Sequence, residues 1–400
     1  MKRRGWLGLL VLLLLVACSG PIGLSTLPTP TLPLDLQTRF PKSTPTLLPR
    51  YQTATFEARL ADTVEAALTA TGRVVTLLPP ALPVPTGTPD PPAPEPTPTP
   101  VFSPMPDRFA GLRIEELRAR SYGEGELVVE EVWGELDGFT RSMVRYDSDG
   151  LVQYAFMNVP AGEGPFPLVI VVHGYVSPAN YNMLAYTTPY ADTLARAGYL
   201  VIHPNLRGYP PAEDGPNLHR VGFAVDVLNL VGLVRRLGGQ PGPLAQADPQ
   251  AIGLFGHSMG GGVSIRAAVV DGGIDAVVLY GSMSADEALN TAQIYNVFMN
   301  AASRIPELDT PPEVEAEISP VYYLEGLAAA VSIHHGDADP TVPVSWSKDL
   351  CLRLLDLGKQ AECFFYPGEG HSFRGEANAQ FLERVIQFFD RELRGAAGGQ

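Results

Sequence analysis

A serine, an aspartate and a histidine, in that order along the chain, are the residues of this 400-residue sequence whose types and spacing suit joint chemistry. The serine is Ser258, within Gly256-His257-Ser258-Met259-Gly260. A G-x-S-x-G run between a strand-like apolar stretch (Ala251 to Phe255) and a helix-like one (Val263 to Val270) is the arrangement that lifts a nucleophilic hydroxyl onto the tip of a sharp turn. The glycines have a steric reason. Side chains at Gly256 and Gly260 would collide with the neighbouring strand and helix, and the turn strains the backbone of Ser258 itself. The alternative is a Gly-rich turn carrying an incidental serine. A hydroxyl is a poor nucleophile until a base takes its proton, and that base needs a third group to orient it. On a sheet of this kind the order is Ser, then Asp or Glu, then His.

The acid comes from His335-Gly336-Asp337-Ala338-Asp339-Pro340. Asp337 and Asp339 compete, and Asp339 is preferred because it sits where the loop turns toward the next helix. Asp337 is left to cap or hold the turn. The base is His371, in the loop Pro367-Gly368-Glu369-Gly370-His371-Ser372-Phe373 that follows the last strand. Of the seven histidines, His173, His203, His257, His334 and His335 fall at strand ends or in the elbow, where packing or hydrogen bonding accounts for them. His219 is expected to open a helix. The oxyanion formed on attack needs two donors: the N–H of Met259, directly after the nucleophile, and an N–H from His173-Gly174-Tyr175-Val176, with Tyr175 the best choice. Removing one such donor costs about 3–4 kcal/mol of transition-state stabilisation. No Cys or His spacing suits a metal, and no cofactor is expected.

These residues need a scaffold. Glu126 to Trp133, Thr140 to Tyr146 and Leu151 to Asn158 read as short strands separated by the turn signals Asp137-Gly138 and Asp149-Gly150, an antiparallel opening. Leu168 to Val172 is wholly apolar, as for a central strand covered on both faces. Similar runs recur at Tyr199 to His203, Ala251 to Phe255, Ala276 to Tyr280, Ala330 to His334 and Glu362 to Tyr366. Helical patterns separate several of them: Val221 to Val234, Trp346 to Leu357 and Ala379 to Leu393. The expected class is α/β, a mostly parallel central sheet with antiparallel N-terminal strands and helices on both faces. Residues 285–323, between two strands, form either a small helical lid, with Tyr295, Phe298 and Met299 on one side, or a connector. Tyr181, Tyr186 and Tyr190 either line the cleft or pack.

From about Phe166 to Leu393 the chain resembles the catalytic domain of the prolyl oligopeptidase family of serine peptidases, within the α/β-hydrolase fold. The residues that carry the resemblance are Pro204-Asn205-Leu206-Arg207-Gly208, Ala247-Asp248-Pro249, Gly256-His257-Ser258-Met259-Gly260-Gly261, Ser319-Pro320, His335-Gly336-Asp337-Ala338-Asp339 and Gly368-Glu369-Gly370-His371-Ser372-Phe373. The resemblance implies Ser258, Asp339 and His371 as the triad. There are two departures. His173-Gly174-Tyr175-Val176 stands where many relatives have His-Gly-Gly-Pro, and no β-propeller pattern precedes the hydrolase region, so peptide selectivity does not carry over. Dienelactone-hydrolase-like and other small esterases share this fold and triad. The substrate expected is therefore a small ester or a short peptide. The reading from another class is a surface binding protein that kept the fold without the activity.

The N-terminal quarter reads differently. Lys2, Arg3 and Arg4 precede an apolar run from Leu7 to Val16, a secretory leader too short for a comfortable membrane span. Its end, Leu15-Val16-Ala17-Cys18, resembles a bacterial lipobox. A lipid on Cys18 would tether the protein to a membrane outside the cytoplasm. Residues 19–106 are rich in Pro and Thr and read as a stalk, with a marginal helix near 54–70. The compact domain is expected over 107–395. The net charge is −15 with no basic patch, which argues against nucleic acid as a partner. Beyond Cys18 the sequence has Cys351 and Cys363, which read equally as a disulfide or as two buried thiols.

Overall fold

The computed structural model describes residues 107–298 and 305–395. The leader, Cys18, the stalk with its 54–70 helix, and Met299 all lie outside the described residues, as does the side chain of Phe298. Nine strands form one sheet: β1 (Leu127–Leu136), β2 (Phe139–Ser148), β3 (Leu151–Pro160), β4 (Phe166–Val172), β5 (Leu200–Pro204), β6 (Ala247–His257), β7 (Ala276–Tyr280), β8 (Ala330–Gly336) and β9 (Ala361–Tyr366). Their spatial order is β1-β2-β3-β5-β4-β6-β7-β8-β9. The first three strands and the β3–β5 pair are antiparallel, and all later pairs are parallel. Every strand expected from the sequence is present, most of them a residue or more longer at the ends.

The helices are α1 (Ile114–Arg118), α2 (Thr188–Arg196), α3 (Val221–Leu237), α4 (Met259–Val270), α5 (Glu287–Gln293), α6 (Pro312–Ile318), α7 (Val344–Asp356) and α8 (Gly375–Phe389). Strand alternation divides the core in two. Leu168, Ile170 and Val172 of β4 join one apolar cluster with α3, α4 and α7. Val169 and Val171, one residue out of phase, join the other with α2 and α8. All five are fully buried. Each such side chain contributes about 1.5–3 kcal/mol relative to exposure, which is why this strand tolerates no polar residue on either face. Among the described residues no helix is long and apolar enough to cross a membrane.

The strand order places the site. From β4 the chain winds one way to β5, then crosses back to β6 on the other side of β4. The switch point therefore falls between β4 and β6, and clefts open at the carboxyl ends of strands at such points. Val172 at the end of β4 pairs with Gly256 near the end of β6, so the loop starting at His173 and the elbow at Ser258 emerge side by side.

Cys351 on α7 and Cys363 on β9 are joined in a disulfide, with Cα atoms 6.4 Å apart. It closes the last helix–strand unit, whose strand runs into the His371 loop.

Candidate active site

Ser258 stands between β6 and α4 with φ 56° and ψ −118°. An L-residue at positive φ is strained, and the surroundings must impose it. The Ser258 N–H donates to the Tyr280 carbonyl at 2.9 Å, and its own carbonyl accepts from Met283 N–H at 3.0 Å. The glycines behave as their spacing predicts. A methyl group on Gly260 would lie 2.1 Å from the Val172 carbonyl oxygen, and one on Gly256 would lie 2.3 Å from the Gly260 carbonyl oxygen. Helix α4 can start this close to the sheet only without side chains there.

The other two chemical groups arrive on neighbouring loops. Asp339 follows β8 and His371 follows β9, and His371 Nδ1 lies 2.7 Å from Asp339 Oδ2. With Nδ1 bound to the carboxylate, Nε2 is the imidazole nitrogen left for a substrate or nucleophile. Asp339 Oδ1 accepts from the N–H groups of Thr341 (2.8 Å) and Val342 (3.1 Å). Its Oδ2 also faces His335 Nε2 at 3.1 Å. Burial pushes this carboxyl up, but the hydrogen bonds from His335, His371 and Val342 outweigh it and hold Asp339 below the ordinary carboxylate range. Asp337 has a different task. It is exposed, and its Oδ1 accepts from Gly368 N–H at 2.7 Å, which ties the β8 loop to the His371 loop.

Gly174 runs against the elbow. A methyl group there would lie 2.9 Å from Ser258 Cβ and 2.4 Å from the Tyr186 hydroxyl, so the Gly174–Tyr175 peptide borders the nucleophile. Tyr175, Ser258 and Met259 together line a cavity of about 470 Å³, with Tyr209, Phe223, Met283, Ile294 and Trp346 among its other walls. This is a mostly apolar cleft of the size that takes a small organic group.

Two features escaped the sequence. His335, for which packing or hydrogen bonding was expected, hydrogen-bonds the same catalytic-site carboxylate as His371. Its four-residue spacing from Asp339 was the available signal. The second is a buried charge cluster behind the cavity wall. Glu287 on α5 pairs with Arg266 on α4 at 2.6 Å and with Arg220, which lines the cavity. Burial pushes the Glu287 carboxyl up, but Arg220 and Arg266 overcome this and hold it below its usual range. Among its described residues the 285–323 stretch contains two short α-helices, and Gln293 and Ile294 from it reach the cavity.

None of the three tyrosines lines the cavity, and Tyr181 and Tyr190 pack. Tyr181 lies at a tilt against His173 and edge-on against Tyr209, and Tyr190 sits among Phe255, Tyr280 and Phe381. Tyr186 donates to His257. His219 sits in the turn just ahead of α3, buried against Thr310. Among the described residues no group of three or more His, Cys, Asp or Glu side chains could hold a metal ion.

The sequence matches two family models, the prolyl oligopeptidase family over residues 242–396 and the alpha/beta hydrolase fold over residues 167–304. Both describe hydrolases. Among curated proteins it is 23% identical over 229 residues to a probable 2-oxo-3-(5-oxofuran-2-ylidene)propanoate lactonase of Bradyrhizobium sp, covering 56% of this chain and 81% of that protein. Among solved structures it is similar to acetyl xylan esterase 1 from Thermoanaerobacterium sp. (17% identity, TM-score 0.53, 69% of this chain and 90% of that one). It is also similar to the acylaminoacyl peptidase of Pyrococcus horikoshii (22% identity, TM-score 0.52, 64% of this chain and 42% of that one). The chain thus spans about two-fifths of the length of the large peptidases it matches. These likenesses show the α/β-hydrolase fold.

Proposed function

We propose that the chain is a serine hydrolase that cleaves ester or peptide bonds through an acyl-enzyme on Ser258. His371 Nε2 takes the Ser258 proton as Oγ attacks the substrate carbonyl carbon, and Asp339 fixes the imidazole so that Nδ1 keeps its proton. The oxyanion sits between the N–H groups of Met259 and Tyr175. Collapse breaks the bond to the leaving group, which takes the proton from His371. Water then attacks the acyl-enzyme with His371 again as base, freeing the acid and restoring Ser258. The observation that carries this reading is the 2.7 Å His371–Asp339 pair on loops that flank a serine held at positive φ.

Peptidase activity is favoured by the family match over residues 242–396. Ester hydrolysis, in the manner of a carboxylesterase or dienelactone hydrolase, is favoured by the lactonase relative and by the small apolar cavity. A fluorophosphonate probe tests the mechanism. Folded protein should be labelled at Ser258, and labelling that survives Ser258→Ala, or its absence in the wild type, overturns it. Parallel assays on short-chain nitrophenyl esters and on aminoacyl and prolyl amides divide the two substrate classes.

The enzyme is further proposed to be lipidated at Cys18 and held outside the cytoplasm on a bacterial membrane. The leader and its lipobox support this, and the Cys351–Cys363 disulfide suits an oxidising compartment. Release of the protein from membranes by Cys18→Ser is the expected result, and unchanged membrane association would refute it.

A further inference from the structure

His257 and Tyr186 take no part in the reaction just described, yet they connect the loops that perform it. The His257 ring is fully buried between Gly256 and Ser258 and does not line the cavity. Its Nε2 lies 2.9 Å from the main-chain carbonyl oxygen of His371. A carbonyl can only accept, so Nε2 carries the proton and donates. Nδ1 must then accept, and the Tyr186 hydroxyl, 2.5 Å away, is the donor. Burial and the nearby His371 push the His257 pKa down to about 3, so this neutral tautomer persists across the working pH range.

The far end of the chain of bonds is equally well placed. The Tyr186 oxygen lies 2.4 Å from where a methyl group on Gly174 would stand, against the backbone that supplies the second oxyanion donor. Tyr186 itself has φ 57°, a strained backbone conformation for a tyrosine, and although the residue is partly exposed its hydroxyl reaches the His257 ring. His371 is thereby held at two points, its side chain by Asp339 and its main chain by His257.

We propose that Tyr186 and His257 are positioning residues, a two-bond relay that keeps the general-base loop and the oxyanion loop in register on either side of Ser258. This rests on the serine-hydrolase reading above. A packing role alone would require only the shape of the two rings. The relay requires their donors and acceptors, because the N–H of His257 is what restrains the His371 carbonyl.

The test uses the full chain with a fluorophosphonate probe and a nitrophenyl ester, in the wild type and in His257→Phe, His257→Gln and Tyr186→Phe, each shown to be folded by circular dichroism. A misplacement of about 1 Å in a catalytic group costs roughly 100-fold, so His257→Phe should lower kcat and the labelling rate by that order with KM little changed. Gln can extend an amide N–H toward the His371 carbonyl, and His257→Gln should recover at least about tenfold of that loss, the worth of one hydrogen bond. Tyr186→Phe should lose about tenfold for the same reason. If His257→Phe does not fold, His257→Gln and Tyr186→Phe carry the test through the kcat and KM split. Wild-type kcat in folded His257→Phe or Tyr186→Phe, or a Gln variant as slow as the Phe variant, overturns the relay while leaving the triad intact. A wild type that the probe does not label overturns the triad and the relay together.

Discussion

His334, near the end of β8, offers a measurement of what a neutral buried imidazole does to stability. Its ring is fully buried. The Ser332 hydroxyl donates to Glu362 at 2.8 Å and so accepts from His334 Nε2–H at 2.9 Å, while His334 Nδ1 accepts from the Tyr366 hydroxyl at 2.9 Å. Burial, with Arg384 adding to it, pushes the His334 pKa down to about 3. In the unfolded chain it returns to about 6.5. The folded value lies below the unfolded one, so between them the unfolded chain binds more protons, and stability is lost as pH falls. From pH 7 to pH 5 the unfolded imidazole takes up about 0.7 of a proton and the native one almost none, which integrates to about 2 kcal/mol for this single group. Urea unfolding of the wild type and of His334→Gln at both pH values isolates it, since every other titration cancels in the double difference. The wild type should lose about 2 kcal/mol more than the variant on acidification. Losses equal within about 0.5 kcal/mol would refute the neutral-imidazole argument.

Four further outcomes follow from the same geometry. Asp339→Asn removes the charge that orients His371 and favours the wrong tautomer, so kcat should fall about 10,000-fold, whereas Asp337→Asn, which touches only Gly368 N–H, should cost no more than about tenfold. Gly174→Ala drives a methyl group against Ser258 and Tyr186, and ester turnover should drop by about 100-fold or more while the fold persists. Glu287→Ala leaves Arg266 buried without its counter-charge and should destabilise the protein by about 3–5 kcal/mol in denaturant unfolding. Cys351→Ser opens a loop of 12 residues and should cost about 3 kcal/mol in the same assay, with a matching loss when the wild type is reduced.

The parts of this molecule that were legible beforehand are those where one physical demand dominates. Leu168 to Val172 can only be a doubly covered strand, and Gly256 and Gly260 leave no room for a side chain in the elbow. The choice of Asp339 over Asp337 also follows from local chain direction, since only the later residue has turned toward the cleft. Helix α2 escaped notice because its Thr188 and Pro189 start reads as loop and its apolar face is short. The roles of Tyr186, His257 and Glu287 depend on partners 71, 114 and 21 residues away, and no local pattern encodes such pairs. The disulfide is illegible in the sequence for the same reason. Spacing shows that two thiols can meet, and only the packing of α7 on β9 decides that they do.

The burial of the histidines has a consequence for reagents that enter from water. Six of the seven imidazoles are at most 1% exposed, and the His371 side chain alone, at 19%, presents an edge to solvent. Among the seven imidazoles an acylating agent therefore meets one accessible ring, that of His371. Incorporation at a second or later ring then reports opening of the fold around the other six, so the same reagent reads the integrity of the domain without a known substrate.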